Sequence, residues 1–451
     1  AAAPPVASSG PMHPRRLLLA PLLLSVACEP RADAPASTVP AATAGPVGPA
    51  PVQRPTLVAR DPVGASVVAS LDTTVDPCTD FYRYACGGWM KKTTRPPDKA
   101  RYGRGFGELA DRNNALLRKI LEDAAAARSK AGSVDAQLGS FWSACMDEAA
   151  IDRAGIAPLA PLLSQVTAVR DEASLMRAVG KLHAGFFGGG GPLFTFYIEP
   201  DAKRPDVYVA QLQQGGTGLP DRDFYLKTDE QSRALLAAYQ QHVARMLGFL
   251  GETPDKAAVQ AAQVVGFETE LAKIALPRAD LRDPDATYNL LGVTGLQATD
   301  PVTPWKLYFE ALGYAKIGGD LNVATPTYFK QLGAVVRKAD VPTLQAYLRW
   351  HILRVAAPAL SKEIVDADFK FTSILTGAKE LSPRWERCVN LANLGLGELV
   401  GQAFIKERFA GASKQVALDM IGSIEVAFEA GLPSLAWMDP STRTRAVDKM
   451  K

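Results

Sequence analysis

Asp76-Pro77-Cys78-Thr79-Asp80-Phe81-Tyr82-Arg83-Tyr84-Ala85-Cys86-Gly87-Gly88-Trp89 is the stretch on which the reading of this chain turns. It gathers two cysteines, four aromatic residues and a glycine pair into fourteen positions. The chain on its N-terminal side has the composition of an export signal and a tether. The chain on its C-terminal side has the periodicity of a helical globular body.

Towards the N-terminus, residues 1–11 carry no start methionine and no pattern. They form an unexplained leader, either vector sequence or an over-extended reading frame. From Met12 the chain shows Arg15 and Arg16, then the apolar run from Leu17 to Val26, then Ala27-Cys28. A basic start, a short apolar centre and a small residue at a cleavage point define a signal peptide. The run is shorter than the ~20 apolar residues that span a bilayer. The plainer alternative is the end of a buried helix. Ser25-Val26-Ala27-Cys28 resembles the lipobox of bacterial lipoproteins, with Ser where Leu is usual, which makes Cys28 a candidate lipidation site and the membrane a partner. Residues 29–70 are rich in Ala, Pro, Val, Ser and Thr, which cannot bury enough surface to offset chain entropy. They are expected to form a disordered tether, with a glycosylated stalk as the alternative.

The totals bound the remainder. The chain has 451 residues, 47% hydrophobic and 22% charged, enough for a sizeable packed core. Fifty basic and 47 acidic residues leave a net charge of +3, without a Lys/Arg run of five or more. That balance argues against a nucleic-acid partner. The five cysteines, at 28, 78, 86, 145 and 388, are an odd count, which in an exported chain flags a modified or intermolecular thiol.

Helical spacing dominates after residue 100. Leu109, Leu116, Ile120 and Ala124 recur after Phe106; Val134, Leu138, Phe141, Trp142 and Cys145 form a second stripe. Leu236, Tyr239, Val243, Met246 and Leu250 form a third. Val264, Phe267, Leu271 and Ile274 come next, then Leu344, Tyr347, Leu348, His351 and Val355. These are core faces of packed helices. The segments 193–198 and 207–212 differ, being β-branched and aromatic around a polar turn, and are expected to form a β-hairpin.

Self-contained catalytic signatures are missing. A zinc peptidase helix needs two His four apart with Glu beside the first, so that both imidazoles reach one metal. The four histidines, at 13, 183, 242 and 351, do not have that spacing. His183 and His351 lie on or near apolar stripes and are expected to be packed and hydrogen-bonded. Neither a Gly-x-Ser-x-Gly elbow nor a P-loop is present, and Gly103-x-Gly105-x-Gly107 lacks a preceding strand.

The opening stretch resembles the start of the ectodomain in the neprilysin and endothelin-converting-enzyme family of zinc endopeptidases, whose pattern is Asp-x-Cys-x-Asp-Phe-Tyr-x-Tyr-Ala-Cys-Gly-x-Trp. Further segments resemble that family in order: Trp142-Ser143-Ala144-Cys145-Met146-Asp147, Gly218-Leu219-Pro220-Asp221-Arg222-Asp223-Phe224-Tyr225-Leu226 and Phe267-Glu268-Thr269-Glu270-Leu271-Ala272. Arg282-Asp283-Pro284 with Tyr288-Asn289, Pro383-Arg384-Trp385-Glu386-Arg387-Cys388-Val389, and Leu435 to Arg443 continue it.

The resemblance implies a mainly α fold: a multi-helix lid domain with a small β-hairpin over residues 71–410, then the first part of a helical catalytic domain over 411–451. It implies a zinc cofactor and oligopeptide substrates. The family's His-Glu-x-x-His helix and third ligand have no counterpart here, so the expectation is a truncated copy: no metal ligand or catalytic residue in this chain, and a catalytic half as missing partner. The alternative is a non-catalytic peptide-binding lipoprotein of the bacterial cell envelope. The resemblance pairs Cys145 with Cys388, and pairs Cys78 and Cys86 with cysteines near the family's C-terminus; a local Cys78–Cys86 bridge is the other possibility. Arg101-Tyr102-Gly103-Arg104-Gly105-Phe106 resembles the family's substrate-carboxylate loop with one extra residue, so either Arg101 or Arg104 holds that role, or both are solvated. An uncovered lid is expected to aggregate.

Overall fold

The computed structural model describes residues 62–187, 191–314 and 320–450. The signal segment, His13 and Cys28 lie outside them. The chain divides into two units after Val68. Pro62–Ser70, the end of the segment expected to be a disordered tether, is helical. Proline at the first position of a helix loses nothing, because that NH has no intrahelical partner.

In the larger unit, the opening motif becomes the helix Phe81–Lys92, capped by Asp80, whose carboxylate accepts from the Arg83 NH at 2.9 Å. Its glycine pair has a steric reason. A Cβ on Gly88 would lie 2.4 Å from the Leu71 carbonyl oxygen, and one on Gly87 would lie 2.8 Å from the Asp72 Cβ. The backbone at 70–72 crosses the helix where it has no side chains. Lys91, 2.7 Å from Asp72, and the Thr74 hydroxyl hold the Asp72 carboxyl down at about 2.

Beyond this helix the unit has two apolar cores. The smaller joins the helices Phe106–Ala126, Val134–Met146 and Arg384–Arg408 through Leu117, Leu121, Leu138, Trp142, Val389 and Ala392. Cys145 and Cys388 are bonded across it, with a sequence separation of 243. The first expected stripe holds at Ala124, which is buried, and at Ile120, which packs against the core, but Leu117 and Leu121 are buried beside them, whereas Leu109 is 42% exposed and Phe106 is 91% exposed. The partners meet the C-terminal half of that helix, so its first turn stays in solvent.

The larger core packs the helices Glu172–Leu182, Glu230–Gly248, Pro254–Ile274, Trp305–Leu312, Pro326–Lys338, Val341–Ala356 and Lys362–Thr376 with a small sheet. Trp305, Tyr308, Phe329 and Phe194 fill its centre. The last predicted stripe holds through His351, but Val355 is 37% exposed. The expected hairpin is present as β1 (Phe194–Pro200) and β2 (Tyr208–Gln214), antiparallel with Phe196 opposite Leu212. It is not the whole sheet. β3 (Leu321–Val323) adds parallel to β2, and the Asn322 side chain donates to Gln211 at 2.7 Å. Three residues are too few to display a strand period, which is why β3 escapes a reading of the sequence.

Beyond Arg408 the packing changes. The helix Ser413–Gly431 has no buried residue, and Val416, Met420, Ile424 and Val426 are all at least 60% exposed.

Replacing both Cys145 and Cys388 with serine removes a cross-link that the chain-entropy model values at about 4 to 6 kcal/mol. Urea unfolding should show the loss, and dithiothreitol should reproduce it in the wild type. An unchanged midpoint would show that the three-helix core holds without the bond.

Candidate functional site

A cavity of about 580 Å³ is built by spacing along three helices and one glycine turn. Tyr239 and His242 are three apart on Glu230–Gly248; Trp350 and Arg354 are four apart on Val341–Ala356. Asp368, Phe371, Thr372 and Leu375 share one face of Lys362–Thr376. The turn Gly215-Gly216-Thr217-Gly218 closes the other side. Gly216 has φ +81°, and a Cβ on Gly218 would fall 1.9 Å from the Tyr239 hydroxyl, so the turn can approach the aromatic wall only without side chains.

Beneath the wall lies Glu268, 0% exposed. Tyr225 and Tyr239 donate to its Oε2 at 2.7 and 2.8 Å, and His351 Nε2 lies 3.2 Å from Oε1. Burial first, and the Glu268 charge second, push both tyrosines well above their ordinary range, so both hydroxyls keep their protons and donate. Trp350 Nε1 donates to Tyr239 at 2.9 Å, and the Leu219 NH to Tyr225 at 2.9 Å. His242 stacks on Phe371 at 4.8 Å and lies 3.4 Å from Asp368.

The other sequence-predicted residues lie elsewhere. Arg101 and Arg104 are both exposed, on the loop before Phe106–Ala126. That loop is fixed at its flanks: Trp89 donates to Glu108 at 2.5 Å and stacks on Tyr102 at 6.0 Å, and Lys99 reaches Glu386 at 2.5 Å. Cys86 is a thiol, so the local Cys78–Cys86 bridge is not made.

The described histidines, His183, His242 and His351, do not assemble a metal centre. His183 bonds Tyr308 and the Pro192 carbonyl, and burial pushes its pKa down to about 4. Burial also lowers His351, against the pull of Glu268. Among the described residues no three His, Cys, Asp or Glu side chains converge as a metal needs. A zinc ion therefore finds no ligand set among them. His242, Arg354 and Asp368 are cavity residues that the sequence did not single out; the helix of His242 is about a hundred residues from the consecutive helices of Arg354 and Asp368, and helical spacing marks only the apolar positions.

Residues 77–451 match the model of peptidase family M13. The chain belongs to that family, which comprises the neprilysin-like and endothelin-converting-enzyme-like zinc metallopeptidases. Rat endothelin-converting enzyme 1 is 32% identical over 401 residues, covering 86% of this chain and 51% of that protein. The human enzyme is 31% identical over 400 residues, with the same coverage of 86% and 51%. The Mycobacterium tuberculosis zinc metalloprotease Zmp1, solved in complex with an inhibitor, superposes with a TM-score of 0.77 at 30% identity, over 85% of this chain and 57% of that one. Thus the chain spans about half the length of the curated relatives it matches.

Replacing Glu268 with leucine strips two buried tyrosines of their acceptor and should cost about 3 to 5 kcal/mol in urea unfolding. Glutamine, which keeps one acceptor oxygen, should cost less than half of that; equal losses would count against the hydrogen bonds as the cause.

Acid should weaken the fold through two buried histidines, His183 and His351. Their folded pKa values lie below the unfolded value near 6.5, so the unfolded chain binds more protons once pH falls below it. Stability is full above pH 6.5 and declines towards pH 4, with His183 alone removing about 2 kcal/mol by pH 5. His183→Gln should flatten the slope of unfolding free energy between pH 7 and 5; an unaltered slope would refute the assignment.

Proposed function

We propose that this chain is the lid-bearing N-terminal part of a zinc-dependent endopeptidase that cleaves oligopeptides, and that it is inactive by itself. The family match over residues 77–451 carries the reading. The lack of a convergent ligand set among the described residues supports the second half of it. Residues 71–410 would be the lid and 411–451 the first piece of a catalytic domain. The apolar Ser413–Gly431 helix would be covered by polypeptide carrying the His-Glu-x-x-His zinc site, since exposed apolar surface of this kind marks an interface. Cys78 and Cys86 would pair with cysteines of that polypeptide.

Arg101 or Arg104 would hold the carboxylate end of the peptide, a task suited to a guanidinium's paired donors. The Cys145–Cys388 bond supports an oxidising, exported location. Cys28 would carry the lipid that anchors the protein in a bacterial envelope.

The test uses an internally quenched oligopeptide with zinc added. The purified 451-residue chain should give no chelator-sensitive cleavage, and a reading frame extended past Lys451 should encode His-Glu-x-x-His and restore it. Turnover by the chain alone, or an extension without that motif, would overturn the proposal. In the second case, peptide binding in chelator would favour a non-catalytic binding lipoprotein.

A further inference from the structure

The cavity between the glycine turn and the three helices contains an unsatisfied cation. Arg354 is half-buried in its wall, and its guanidinium makes no hydrogen bond or ion pair with any described residue. Its Nε is shut from water and has no acceptor. Two other half-buried arginines have partners: Arg349 meets Glu252 at 2.9 Å, and Arg384 donates to the Cys145 carbonyl at 2.8 Å. An Nε shut from water without an acceptor carries a desolvation cost, and an anion that enters beside it would relieve that cost.

The cavity also specifies what kind of anion. Its volume of about 580 Å³ falls in the range of small-molecule sites, and Trp350, Phe371, Leu375 and Leu219 add apolar side chains to a lining that otherwise includes polar groups such as Gln214, Thr217 and Thr372. The peptide NH groups of Gly216, Thr217 and Gly218, on the facing wall, donate no hydrogen bond to any described residue. The one acid in the lining, Asp368, is already engaged by His242. An inorganic anion would leave the apolar lining unfilled, and a neutral apolar molecule would leave Arg354 unpaired. An amino-acid-sized molecule with one carboxylate and an apolar body satisfies both.

We infer that this cavity is a binding site for a small apolar carboxylate, with Arg354 pairing the carboxylate and the Trp350–Phe371–Leu375 wall holding the body. The side chains that carry the inference, Arg354, Trp350, Phe371 and Leu375, all lie among the described residues, so it stands or falls separately from the peptidase reading.

Isothermal titration of the full chain in chelator, with N-acetyl-L-phenylalanine as probe and its amide as control, tests it. The acid should saturate one site and bind at least tenfold more tightly than the amide. Arg354→Gln should lose at least tenfold in affinity for the acid while leaving the amide unchanged. Equal binding of acid and amide, no saturable binding, or wild-type affinity in a folded Arg354→Gln variant would each overturn the inference. If Arg354→Gln does not fold, Leu375→Trp decides: it fills the cavity and should abolish binding with the melting temperature retained, and undiminished binding would be fatal to the proposal.

Discussion

A carboxylate sealed from water is the constraint on which the larger core depends. Removing Glu268 from solvent carries a cost of several kcal/mol, which only well-placed donors offset. Those donors come from separate elements: Tyr225 from the short helix Asp223–Leu226, Tyr239 from Glu230–Gly248 and His351 from Val341–Ala356. A slip of one residue in any of these elements would leave an unpaired polar group at the centre. Apolar packing alone tolerates such slips far better, so the polar cluster sets the register of the helices while apolar burial supplies most of the stability.

The same cluster explains why two widely spaced sequence segments carry the family resemblance together. Gly218 to Leu226 supplies a backbone that must pass close to Tyr239, and a tyrosine that reaches Glu268. Phe267 to Ala272 supplies Glu268 itself, flanked by Phe267 and Leu271 in the core. The opening motif has a comparable logic at the other end. Asp80 caps its helix, and Gly87 and Gly88 admit the 70–72 backbone. Each of these roles depends on residue type at a fixed position, which is the kind of information a sequence displays.

Other features do not leave such a trace. Helical spacing identified the elements but not which side of Phe106–Ala126 meets its neighbours, because both Leu116 and Leu117 suit an apolar stripe and only the position of the Arg384–Arg408 helix decides between them. The third strand is defined by its neighbours, through Asn322 and Gln211, rather than by its own three residues. The cavity is the extreme case. Its polar members, His242, Arg354 and Asp368, are each ordinary helix residues in sequence, and they acquire meaning only where three helices and a glycine turn bring them to one space.

The Ser413–Gly431 helix shows how one composition leads to two outcomes. Within the core, helices such as Pro326–Lys338 place their apolar residues on one side and bury them. Along Ser413–Gly431, Val416, Met420, Ile424 and Phe428 recur every fourth residue with Ile421 beside them, so they form a stripe too, opposite Gln415, Asp419 and Ser423. All five are nevertheless at least 49% exposed. Spacing and composition are thus those of a core helix, and what differs is that no described element buries the stripe. Whether an apolar face ends up covered is decided by its neighbours and not by the helix that carries it.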